Sequence, residues 1–92
     1  MPKTLRTPAH MALMQSLIRV RKQQGFTQQQ VADMLQRPQS YVAKIETGER
    51  RIDAVELVAW SIALEIDVQE LLKSVVIALR AEPETKQPVQ KY

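Results

Sequence analysis

Three times along this chain the same start signal appears. Thr27 is followed three places on by Gln30, Asp53 by Glu56, and Asp67 by Glu70. In each case the first side chain can accept from the third backbone N–H while the third side chain reaches back, which is a capping box. Each cap also follows an apolar residue (Phe26, Ile52, Ile66) that meets another five places later (Val31, Leu57, Leu71), the spacing of a hydrophobic staple. Chance seldom supplies all three together, so the chain is committed to short helices. Thr7-Pro8 marks an earlier start, with proline in the first turn where its missing N–H is harmless. Gly25 and Gly48 are stops, and Pro38 forbids a continuous helix through 35–38. No stretch alternates with a strand's two-residue period for long. The expectation is all-α, with five helices near 8–24, 28–35, 39–46, 54–64 and 68–80. The structured unit is expected over 7–80, and 81–92, with two prolines and mostly polar side chains, reads as a flexible tail.

The second and third helices are separated by only Gln36 to Pro38, which forces a sharp crossing and makes a helix-turn-helix over 28–46. Val31, Ala32, Leu35, Val42 and Ile45 are spaced to face inward, and small Ala32 suits a close crossing. Leu17, Leu57, Trp60 and Leu64 complete the expected core. That leaves Gln39, Ser40, Tyr41, Lys44 and Thr47 facing outward from the third helix. Amide, hydroxyl and ammonium groups on one short helix suit base edges and phosphates in a major groove. Charge agrees. Residues 1–52 carry nine Lys/Arg against three Asp/Glu, and residues 53–92 four against seven, so a basic half is joined to an acidic one.

Other chemistries find little to work with. There is no cysteine, so no disulfide, thiolate nucleophile or cysteine-ligated metal is possible, and the single histidine, His10, has no partner for a metal site and reads as an exposed residue at a helix start. No Ser/His/Asp set, Gly-rich phosphate loop or carboxylate cluster can be assembled, so no enzyme, cofactor or metal is expected. The longest apolar runs, such as 75–79, are too short to cross a membrane, and the region around Lys3 and Arg6 lacks the apolar core of a signal peptide; a cytoplasmic protein is expected. Trp60 falls with Leu57 and Leu64 on an inner face and reads as core.

Gly25-Phe26-Thr27-Gln28, then Val31-Ala32 and Leu35, then Gln39 through Gly48, resemble the Cro/repressor (Xre-type) helix-turn-helix family from about Leu17 to Leu72. The resemblance implies a five-helix lambda-repressor-like domain that binds double-stranded DNA, and it implies roles residue by residue. Gln28 would hold a phosphate, although capping alone also explains a glutamine there. Gln39 and Ser40 would contact bases, with Lys44 facing the groove one turn on and Thr47 beyond it. Tyr41 would lie between base and backbone, or pack. Arg50 and Arg51, beside Gly48, would approach the phosphates. Arg21 and Glu46 would form a structural ion pair. Three positions depart from the family pattern: Gln36 stands for the usual turn glycine, Pro38 for a Ser or Thr cap, and Glu65 for a glycine after the fourth helix.

The fifth helix carries Val68, Leu71, Leu72, Val75, Val76, Ile77 and Leu79, more apolar residues than one face needs, and Ile62 points outward if Trp60 and Leu64 point in. This surplus either folds back onto its own domain or forms a partner surface. The reading favoured is a homodimer through Ile62, Val76 and Leu79. The function expected is a transcriptional repressor acting on a palindromic operator without ligand induction. A DNA-binding antitoxin with a protein toxin as partner, and a protein-interaction module that does not bind DNA, are the rival readings.

Overall fold

Helix starts fall where the caps put them. In the computed structural model, which describes residues 7–81, the Thr7 hydroxyl accepts from the His10 backbone N–H at 3.2 Å and Pro8 opens helix α1 (Pro8–Gln23). Complete capping boxes, Thr27 with Gln30 and Asp53 with Glu56, open α2 (Gln28–Leu35) and α4 (Ala54–Ala63). Pro38 precedes α3 (Gln39–Thr47) with no side-chain cap. The third expected box does not form, although Asp67 still caps. At the start of α5 (Val68–Ala81), Asp67 Oδ1 accepts from the Gln69 N–H at 3.0 Å, but the Glu70 carboxylate turns to Lys73 Nζ at 3.5 Å, an ammonium that competes with the backbone donor.

Helix ends share one device. The first four helices each leave through a residue of positive φ: Gly25 (83°), Gln36 (59°), Gly48 (83°) and Glu65 (57°). The next N–H then bonds back over the turn, Phe26 to the Arg21 carbonyl at 3.0 Å and Arg37 to Ala32, Glu49 to Lys44 and Ile66 to Ser61 at 2.9 Å. This is the Schellman ending. Gln36 and Glu65 carry a Cβ into the left-handed region at a cost of about 1 kcal/mol each. The turn between α2 and α3 therefore keeps the shape a glycine would give it.

All five helices feed one core: Leu17 and Val20; Val31 and Ala32; Tyr41, Val42 and Ile45; Leu57 and Trp60 with Leu64; and Leu71. Trp60 is fully buried, as expected. Leu35, expected inside, is only partly buried, because it is the last residue of α2 and has no following turn to cover it. The fifth helix folds back along α1, where Ser16 Oγ and Ser74 Oγ lie 2.9 Å apart and Ser74 Oγ donates to the Ala12 carbonyl at 3.3 Å. The reading that it folds back onto its own domain thus holds in part. Leu71 is buried, whereas Val76, Ile77 and Leu79 stay exposed. Of the tail expected over 81–92, Ala81 is the last residue of α5 and the remainder lies outside the described residues. Among the described residues there are five helices and no strand, and no helix is long and apolar enough to cross a membrane.

Candidate nucleic-acid interface

A guanidinium inside a domain this small must be fully paired to be tolerated. Arg21 Nε donates to Glu46 Oε2 at 2.6 Å and Nη2 to Oε1 at 3.1 Å, with side chains 10% and 4% exposed, while Nη1 donates to the Phe26 carbonyl at 3.0 Å. The pair ties α1 to the end of α3. It also continues outward. Glu46 Oε1 accepts from Gln28 Nε2 at 2.8 Å, and Gln28 Oε1 accepts from Gln39 Nε2 at 2.7 Å. Four side chains therefore link the buried charge to the first residue of α3, and the amide of Gln39 is positioned before any ligand arrives. Its Oε1 has no partner among the described residues and faces outward with the exposed side chain. Gln28 is half-buried and joins the ion pair to Gln39, while the cap of α2 is made by Thr27 and Gln30.

Ser40 and Lys44 are exposed on α3 with no side-chain partner among the described residues. Thr47 is exposed too, but its hydroxyl is directed at the Lys44 carbonyl (3.3 Å) and Glu49 Oε2 (3.4 Å). Tyr41 corrects the expectation of an outward residue. It is 8% exposed, its hydroxyl accepts from Trp60 Nε1–H at 3.3 Å, and the two rings are tilted with centroids 6.3 Å apart. Tyr41 precedes Val42 and lies one turn before Ile45, so the helical period turns it toward the core. Its ring supports two cations, with the guanidinium carbons of Arg37 and Arg50 at 4.2 and 4.8 Å from the centroid.

Arg37 is the residue that sequence reasoning missed. Its signal was a cation directly before the proline that opens α3. Arg37 Nη2 lies 3.6 Å, and Arg50 Nη1 3.1 Å, from the same oxygen, Glu56 Oε2. Glu56, missed as well, is also the capping-box residue of α4, its Oε1 accepting from the Asp53 N–H at 2.9 Å. Arg51 is exposed, and its Nη1 stands 3.4 Å from His10 Nε2. A guanidinium only donates, so Nε2 accepts and Nδ1–H faces the Thr7 hydroxyl at 2.7 Å. His10 is thus half-buried and partnered, not simply exposed, because α1 begins beside the loop that carries Arg51. Among the described residues no group of His, Asp or Glu could hold a metal ion.

Away from α3, Ile62, Val76 and Leu79 are 72%, 46% and 47% exposed. Val55 and Val58 are exposed as well and, with Ala54, Ala59 and Ile62, line a shallow apolar groove along α4. The spacing of 55, 58, 59 and 62 is one helical stripe, legible in the sequence and overlooked because the inner stripe through Leu57, Trp60 and Leu64 accounted for the helix.

Comparison with known proteins places this geometry. A helix-turn-helix family model (HTH_3) matches residues 17–71. An XRE-family like protein from Pseudomonas syringae pv. tomato str. DC3000 is similar, with 35% identity, 75% of this chain and 84% of that one covered, and a TM-score of 0.70. The restriction-modification controller protein C.AhdI from Aeromonas hydrophila is similar at 29% identity, with 67% and 94% covered and a TM-score of 0.64. No curated protein matches the chain.

Proposed function

The chain belongs to the Cro/C1-type (XRE) helix-turn-helix family of DNA-binding transcriptional regulators, and from that premise we propose that it is a repressor which reads a partly palindromic operator as a homodimer. The observation that carries this reading is the exposed Gln39 amide, held by Gln28 and, through Glu46, by the buried Arg21. A base-reading group works best when its orientation is fixed before binding, since ordering it on the DNA costs affinity. Gln39, Ser40 and Lys44 then meet base edges in the major groove, with Thr47 at the far end of the helix. Gln28, Arg50 and Arg51 hold the phosphates that border it. Tyr41 acts from beneath, as the floor under Arg50. Likeness to a restriction-modification controller supports a regulatory role. Repression follows by occlusion, because a dimer seated on a promoter excludes polymerase.

The dimer is assigned to the outward apolar residues of α4 and α5, with Ile62, Val76 and Leu79 among them. Residues 53–92 carry the acidic surplus, so contact made there keeps like charge from the phosphates. Two copies related by a two-fold axis set their α3 helices about 34 Å apart, one duplex turn. Selection of bound sequences from a random duplex pool tests the reading. The expected product is an inverted repeat of short half-sites whose centres lie about one turn (~10 bp) apart. Recovery of no enriched sequence, from a protein that still binds duplex, would contradict sequence-specific regulation.

A further inference from the structure

Arg37 precedes α3 and Arg50 follows it, yet both side chains reach back to the same place. Their guanidiniums stand over one Tyr41 ring and share one oxygen of Glu56. Two cations held this close repel, and the carboxylate and the negative face of the ring offset that repulsion. We propose that Arg37, Arg50 and Glu56 form a single phosphate site on the DNA-facing side, in which Arg37 is a ligand beside Arg50 and Glu56 limits the pair to one phosphodiester; this rests on the duplex-binding reading above.

Position, donors and charge agree on this assignment. Arg37 stands two residues before Gln39, and the start of a recognition helix is the part that enters the groove, so its flanks face the bordering phosphates. The side chains of Arg37 and Arg50 are 41% and 40% exposed, whereas Glu56 beneath them is 19% exposed. Among the described residues Arg37 uses only Nη2, on Glu56, and Arg50 uses only Nη1, on Glu56 and the Arg51 carbonyl at 3.0 Å. The remaining N–H donors of two planar guanidiniums are available to phosphate oxygens. Two guanidiniums and one carboxylate leave one positive charge, which one phosphodiester neutralises.

The salt dependence of duplex binding reads this charge directly, because each neutralised phosphate contributes about 0.9 to the slope of log K against log salt. Arg37→Gln is expected to make the slope shallower by about 0.9, equally on the selected duplex and on a random one. Arg37→Lys, which keeps the charge, should leave it unchanged. Glu56→Gln is expected to steepen the slope by about 0.9, since the freed pair can neutralise a second phosphate. It retains the cap of α4, as Gln30 does at the same position of α2. The double variant R37Q/E56Q should return to the wild-type slope, a rescue that loss of a merely structural contact would not produce. An unchanged slope in either single variant, a shallower one in Arg37→Lys, or a double variant that stays at the Arg37→Gln value overturns the site while leaving duplex binding intact. Wild-type protein that binds no duplex overturns the duplex-binding reading, and the site with it.

Discussion

Arg21→Met is expected to lower the unfolding free energy by about 3–5 kcal/mol, because it strands the Glu46 carboxylate in the interior. That carboxylate is 4% exposed and would keep only the Gln28 amide as a side-chain donor among the described residues, while the Phe26 carbonyl would lose its guanidinium donor. A domain of this size has about 5–15 kcal/mol in hand, so the variant stands near the edge of folding. Replacing both partners, as in R21M/E46L, should cost much less, since no charge is left unpaired. Urea denaturation of the two single variants and the double variant closes the cycle. Single effects that simply add would mean that the two charges do not support one another.

Glutamate at Ile62 or at Val76 should produce a folded monomer. Both side chains are exposed, at 72% and 46%, so a carboxylate there disturbs the core little but is costly in an apolar contact between copies. Loss of the second half-site removes the gain from linked binding, and affinity for the full operator should fall by about 10²–10⁴-fold while contacts to a single half-site persist. Sedimentation at micromolar concentration decides the matter. A wild type that is already monomeric, or variants that both remain dimeric, would move the interface elsewhere.

What the sequence made legible was whatever local rules govern. The caps at Thr7, Thr27 and Asp53 act over three residues, and their helices begin where those residues stand. The stops at Gly25 and Gly48 are equally local. At Asp67 the same pattern misled in part, because Lys73 draws Glu70 away from the backbone. Tyr41 was ambiguous for a different reason: an amphipathic side chain at the margin of a helical stripe is placed by what packs against it, and here that is Trp60, nineteen positions later. Arg37 and Glu56 are likewise joined only by the fold. The link from Gln39 to Gln28 needs the crossing of α2 and α3, so residue types pointed to the interface while its wiring did not show.

If α3 reads sequence through Gln39, titration of Gln39→Ala against the selected operator and a random duplex at one salt concentration separates the two. The predicted result is a loss of about 1–3 kcal/mol on the operator, with preference relaxed at one base pair per half-site and binding to the random duplex nearly unchanged. Equal weakening on both duplexes would mean that Gln39 positions the protein on DNA without reading it, and that α3 does not read sequence through it.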